Sequence, residues 1–337
     1  MRADKAIRGL RSCPRSWSGS LIAALIALHC LSSATAVAQV LPEGNVGIAA
    51  KYPGDVGISG DAAVVFSDNF ESYTSVSGLT SRWSEVFHSA NLRIANEAAN
   101  VFAGAKAVEM TVPKQSAEVS NNLIRYLSPA TDVLFVRYYA KLDAGFDVLG
   151  SSHNGNSISA KYCCPGVKAD GYNKFLVSLE AWRDDVSTRN PGNLNIYIYH
   201  PDQRDVWGDH FFPTGRVVPY DAVPGNFGSG FVARPNVIPE LGRWYSYELM
   251  VKANTPGLRD GRIAVWIDGK LVADFPNLRL RDTSALKIDQ FTIDLHVRSN
   301  TLSAARKWVD NVVAATSYIG PMAASVTLPP PTALQVR

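Results

Sequence analysis

The sequence predicts an all-β chain folded as a two-sheet β-sandwich or jelly roll. Three observations carry that expectation. Segment after segment alternates apolar and polar residues with a period of two, an Asp-Gly pair separates two strand-like arms, and long helical periodicity is nearly absent. The composition agrees. Of 337 residues, 46% are hydrophobic and 10% aromatic, enough for a real core, so a wholly disordered chain is excluded. With 25 glycines, 4 cysteines and no heptads, collagen-like, disulfide-framework and coiled-coil architectures are excluded as well.

In chain order, the N-terminus carries Arg2, Lys5, Arg8, Arg11 and Arg15, then an apolar run over 21–31 and the small residues Ala34-Thr35-Ala36-Val37-Ala38. A basic region, a short apolar region and an A-x-A site predict a signal peptide over 1–38, and hence a secreted or periplasmic protein. The apolar run is short for a bilayer span. Cleavage would remove five basic and one acidic side chain and turn a net charge of +3 into about −1. Nucleic acid and anionic membrane are therefore poor partners. Cys30 is a weak lipidation candidate, because His29 stands where a small residue is expected. Residues 39–60, rich in Gly, Pro and Ala, predict a flexible lead-in. The sandwich is expected over 61–322, and 323–337, with Pro329-Pro330-Pro331, as a linker or tail. No internal repeat is visible, and a monomer is expected.

The strand signals follow at 134–142 (LFVRYYAKL), 175–182 (FLVSLEAW), 194–199 (LNIYIY), 245–251 (YSYELMV) and 291–297 (FTIDLHV). Over 262–275, Asp268-Gly269 is the residue pair that a tight type I′ hairpin demands. Of the cysteines, Cys163 and Cys164 follow the leader and are adjacent, ahead of Pro165-Gly166. They predict a vicinal disulfide stiffening a loop, or two small residues entering a turn.

An alternating strand offers one face to the core and the other to function. The faces opposite the apolar ones hold Ser178, Glu180 and Trp182 on one strand, and Asn195, Tyr197 and Tyr199 on a second, followed by His200 and Gln203. A third holds Asp294, His296 and Arg298. If these faces adjoin, they make a trough of stacking surfaces and titratable groups, which suits a sugar chain. His153, in the loop 150–155, is a further candidate, and the aromatic stretch 207–213 is expected to cover one end.

The stretch from Gly242-Arg243-Trp244 through Trp266-Ile267-Asp268-Gly269 to Leu278-Arg279-Leu280-Arg281 resembles polysaccharide lyases of family 14, the alginate and glucuronate lyases. So do Trp182-Arg183, the Tyr197-Ile198-Tyr199 triplet, and the closing segment Trp308-Val309-Asp310-Asn311. The resemblance covers about 148–321 and implies a concanavalin A-like jelly roll acting by β-elimination on a uronic-acid polysaccharide, with no cofactor needed for the chemistry. It implies Tyr197 and Tyr199 as base and acid, with Arg183 or Arg298 lowering the phenol pKa from its usual value of about 10. His153, His200 or Gln203 would neutralise the substrate carboxylate; Glu180, Trp182, His296 and Arg298 would line the substrate. Two elements depart from the family: its Lys-Leu-Pro-Gly is Val148-Leu149-Gly150-Ser151-Ser152-His153 here, and its Ser-x-Arg is Ser178-Leu179-Glu180. Fold analogy also implies a structural calcium ion on Asp68, Glu71 and Asp310.

Three other readings compete: a non-catalytic carbohydrate-binding protein on the same fold, a glycoside hydrolase using Glu180 and Glu248, and a histidine metal site on His153, His200 and His296.

Overall fold

Alternation resolves into two antiparallel sheets packed face to face. The computed structural model describes residues 40–150, 152–218, 227–228, 230–298 and 300–324; the expected signal peptide and most of the expected tail lie outside them. The strands are β1 (Val64–Asp68), β2 (Glu85–Phe87), β3 (Leu92–Ala95), β4 (Ala107–Val112), β5 (Val119–Thr131), β6 (Val133–Leu142), β7 (Ser152–His153), β8 (Asn156–Ala160) and β9 (Phe175–Trp182). They continue as β10 (Asn193–Tyr199), β11 (Asp209–Phe211), β12 (Val217–Val218), β13 (Tyr245–Lys252), β14 (Gly261–Ile267), β15 (Lys270–Leu278), β16 (Ile288–Val297) and β17 (Ala305–Ala315). The first sheet runs β15-β14-β13-β6-β17-β4-β3, with β1 also paired to β17; the second runs β12-β11-β10-β9-β8-β16-β5-β2, with β7 also on β16. This is the jelly roll that the period-two pattern predicts. The Asp268-Gly269 hairpin forms as expected: both residues have positive φ, 50° and 76°, and Ile267 pairs with Lys270.

One apolar set from each sheet fills the space between them. Val136, Leu249, Val251 and Val265 of the first sheet meet Leu123, Val177, Ile196, Phe291 and Ile293 of the second, nearly all without exposure. Burying each such side chain contributes about 1.5–3 kcal/mol, which makes this seam the main source of stability.

The first sheet is apolar on its outer face too, with Phe135, Met250, Ala264 and Trp266. The lead-in covers it. Residues 40–60, expected to be flexible, instead form three short 3₁₀ turns that bury Ile48, Ala49 and Ile58 against those side chains and against Tyr318 and Ile319. The strap is hydrogen-bonded as well: Ile48 N–H donates to Tyr318 O (3.1 Å), Ala49 N–H to Ile319 O (2.9 Å), and Trp266 Nε1 to Pro42 O (2.8 Å). Asp55 closes it with an ion pair to the fully buried Arg137 at 2.5 Å. Composition alone pointed the wrong way here, because small residues serve close packing as readily as flexibility. The outer face of the second sheet is polar, and the site lies there.

Candidate functional site

Register decides which side chains meet on that face. Tyr197 of β10 stands opposite Ser178 of β9 and His210 of β11; Asn195 stands opposite Glu180, and Asn193 opposite Trp182. On the other side, β16 sets Thr292 opposite Ser157 of β8 and His296 opposite His153 of β7. The three polar faces expected from the sequence therefore do share one sheet.

At their centre is Glu180, 1% exposed. Its Oε2 accepts the His153 Nδ1–H at 2.6 Å, and its Oε1 lies 3.0 Å from His210 Nδ1. That nitrogen donates to Asn195 Oδ1 at 2.9 Å. Burial alone would raise the Glu180 pKa, but the two imidazoles outweigh it and hold the carboxyl down at about 2. Burial disfavours the His153 cation in turn; the Glu180 charge and hydrogen bond prevail and raise His153 above the usual histidine range. His296 goes the other way. Burial and the neighbouring His153 lower it to about 4. The two imidazoles are stacked with centroids 5.1 Å apart, and the Tyr197 ring lies 4.8 Å from His153. His153 keeps 24% of its side chain exposed, and its Nε2 has no hydrogen-bond partner among the described residues. Trp182 flanks the cluster, 4.4 Å from the His210 ring.

Support comes from the neighbouring strands and from the core. Asp294 accepts hydrogen bonds from Ser157 (2.5 Å) and Thr292 (2.8 Å), and burial raises its pKa. Lys307, wholly buried, reaches across the core to the carbonyls of Gly155 (2.7 Å) and Asp294 (2.9 Å). A Cβ at Gly155 would sit 2.1 Å from Leu179 O, so only glycine lets β8 start so close to β9.

Several expected site residues are covered or turned away; Tyr199 stays beside Tyr197, with ring centroids 5.5 Å apart, but is sealed. Tyr199 is 1% exposed, beneath Tyr162 and Lys174, whose ammonium lies 4.5 Å from the Tyr199 centroid. Its hydroxyl accepts a hydrogen bond from Gly166 N–H at 3.3 Å. Arg183 is tied to Asp147, Thr188 O and Val186 O, and shapes the turn after β9. His200 is 2% exposed and pairs with Asp209 at 3.0 Å. Gln203 is spent on His200 N–H, Ala169 N–H and the carbonyls of Asp205 and Trp207. Arg298 lies exposed beyond the end of β16. With neither arginine at hand, burial and the Tyr199 hydroxyl raise the Tyr197 pKa, and the phenol stays protonated. Tyr197 therefore suits the acid role and not the base. Sequence reasoning missed His210, whose strand is three residues long and shows no alternation.

Glu248 also leaves the hydrolase reading without a partner for Glu180. It lies on the outer side of the first sheet and accepts Ile319 N–H (2.8 Å) and Gly320 N–H (2.9 Å). The calcium expectation does not fit the residues present. Asp68 is met by Phe70 N–H, Tyr73 O–H and Trp83 Nε1; Asp310 by Phe102, Ala103 and Asn311 N–H; Glu71 by Ala105 and Lys106 N–H. The Lys106 ammonium occupies the Glu71 and Tyr73 carbonyls (2.9 and 2.8 Å). Among the described residues no three His, Cys, Asp or Glu converge on a metal position, which removes the histidine site too. Cys163 and Cys164 are exposed free thiols.

No family model matches the sequence, and no curated protein matches it. Solved structures do. The alginate lyase Aly36B is 18% identical with a TM-score of 0.54, covering 77% of this chain and 100% of that one. A doubly substituted form of it in complex with alginate tetrasaccharide gives 17%, 0.55 and the same coverage. The marine PL-14 alginate lyase from Aplysia kurodai is 12% identical with a TM-score of 0.53, over 76% of this chain and 100% of its own. The likeness is one of fold: the chain has the same jelly roll as these lyases.

Proposed function

We propose that this protein is a secreted polysaccharide lyase-like enzyme that cleaves a uronic-acid-containing chain by β-elimination at His153, Tyr197 and His296. The observation that carries this is the stacked histidine pair with pKa values pushed apart, one imidazole charged and one neutral, beside a protonated phenol. Such divergence assigns acid and base roles. The His153 cation neutralises the sugar carboxylate, which acidifies the adjoining C–H. Neutral His296 takes that proton, and the arriving carboxylate raises its basicity from about 4. The freed electron pair forms the ring double bond, the glycosidic C–O bond breaks, and the Tyr197 hydroxyl gives its proton to the leaving oxygen. The fold shared with alginate lyases supports the reading.

One observation favours the carbohydrate-binding alternative: among the described residues the strand positions on this face include no lysine or arginine, and the Lys174 ammonium in the covering loop is committed to the Cys163 and Cys164 carbonyls. Incubating the protein with uronic-acid and neutral polysaccharides, while following the ultraviolet absorbance of the unsaturated product, separates the two. Elimination should appear with a uronate polymer and fall about 100-fold or more in His296→Ala and Tyr197→Phe, with melting nearly unchanged. Turnover retained in both variants overturns the mechanism. Binding without product supports the module, and reducing ends without absorbance mean hydrolysis.

A further inference from the structure

Where β1 of the first sheet approaches β5 of the second, two arginines share one aromatic ring. The guanidinium carbons of Arg82 and Arg125 lie 5.9 and 5.4 Å from the Phe66 centroid. Each spends one N–H on a backbone carbonyl: Arg82 Nη2 on Ser67 O at 2.6 Å, Arg125 Nη1 on Arg82 O at 2.7 Å. A guanidinium has five donors, so most of those on this pair are uncommitted. The Arg125 Nε is buried and has no hydrogen-bond partner among the described residues. Neither side chain forms an ion pair with a carboxylate among the described residues.

Arg189 and Arg234 likewise meet only backbone carbonyls, singly and not as a pair on one ring, whereas other arginines have carboxylates. Arg137 has Asp55, Arg262 has Asp274, Arg279 has Asp202 and Asp282, and Arg281 has Asp132. Asp68, which lines the adjoining hollow with Arg82, gives both oxygens to Phe70 N–H, Tyr73 O–H and Trp83 Nε1. Two like charges are therefore held against one apolar wall without an internal counterion, an arrangement that repulsion disfavours. They open on a cleft of about 360 Å³, with Ser59 and Ser67 on its walls.

We propose that this cleft is a second binding site, separate from the groove, for an oxyanion, a carboxylate or sulfate taken by the paired guanidinium forks. Arginine forks match such groups two N–H donors at a time. The anion could arrive free or on an acidic polysaccharide, and the site does not depend on the lyase reading.

The test uses the full chain at fixed ionic strength, with sulfate, glucuronate and alginate as probes. The arginine Nε–Hε NMR signals of Arg82 and Arg125 should shift saturably. Arg82→Gln and Arg125→Gln should each weaken binding about tenfold or more. Sulfate should raise the melting temperature of the wild type beyond any rise in the variants. Should Arg125→Gln fail to fold, Arg82→Gln and Arg125→Lys, which keeps the charge and loses the fork, give the same comparison. Saturation by sulfate identifies a free-anion site; saturation by alginate alone identifies a polymer-borne one. Shifts that never saturate, or saturable binding unchanged in every variant, overturn the proposal.

Discussion

Glu180 and Glu248 sit on opposite sheets, both almost without exposure, and burial pushes both toward the protonated form. The outcomes are opposite. Glu180, between two imidazoles, is held down at about 2; Glu248, met by two backbone N–H groups, rises to about 7. Two amide N–H groups and the Arg137 charge do not repay the desolvation of the Glu248 carboxylate, whereas two imidazoles in direct contact with Glu180 do. The same contrast separates the sheets. Outer-face polar groups of the first sheet are closed over by the two ends of the described chain, Arg137 by Asp55 of the strap and Glu248 by 319–320. Those of the second sheet meet one another and leave His153 open to solvent. Polarity on a strand face therefore does not mark a site; polarity that the chain itself leaves uncapped does.

The largest effect that can break this contrast is on activity. Glu180→Gln removes the charge that keeps His153 protonated, without touching substrate. Elimination should fall about 100-fold at neutral pH. Wild-type activity requires neutral His296 and charged His153, so it rises above about pH 4 and falls as pH passes the raised His153 pKa. In the variant the alkaline limb should move to lower pH, because His153 loses its proton sooner. An unmoved limb in kcat/KM against pH would show that His153 is not the group held by Glu180.

A smaller effect should appear in stability, with opposite signs on the two sheets. Glu180 has a folded pKa below its unfolded value of about 4.5, so its contribution is present above that pH and lost as pH falls toward 2. Glu248 has a raised folded pKa; its contribution is present below about pH 4.5 and lost as pH rises through 7. Glu248→Gln should flatten the decline in urea-unfolding free energy between pH 5 and 8, roughly the window those two values bound. A Glu248 variant that leaves the slope intact would mean the carboxylate ionises freely in the fold.

Much of this was legible in the sequence. Period two placed β6, β9, β10, β13 and β16 within a few residues and identified Glu180, Tyr197 and His296 as outward-facing. Alternation ends with the strand, however. His200 and Gln203, one and four residues beyond β10, are taken up by Asp209 and by the loop backbone, where position along the chain no longer fixes direction. Arg183 was misread for the same reason, just past β9. Tyr199 was placed on the correct face, yet the loop that seals it, through Lys174 and the Cys163 and Cys164 carbonyls, lies 25 to 36 positions earlier in sequence. Long-range cover of that kind has no periodic signature.

That cover makes the smallest effect the sharpest test of the two tyrosines. Tyr199→Phe keeps the ring under Tyr162 and Lys174. The lost hydroxyl accepts from Gly166 N–H, a contribution of about 1 kcal/mol, and also meets the Tyr197 hydroxyl, whose raised pKa should relax toward its usual value in the variant. Melting should drop by a few degrees at most, roughly what that free energy implies. Elimination should change less than about threefold, against the large loss in Tyr197→Phe. Equal losses in the two phenylalanine variants would return Tyr199 to the reacting pair. They would also require the 162–174 loop to lift off the groove before substrate can reach it.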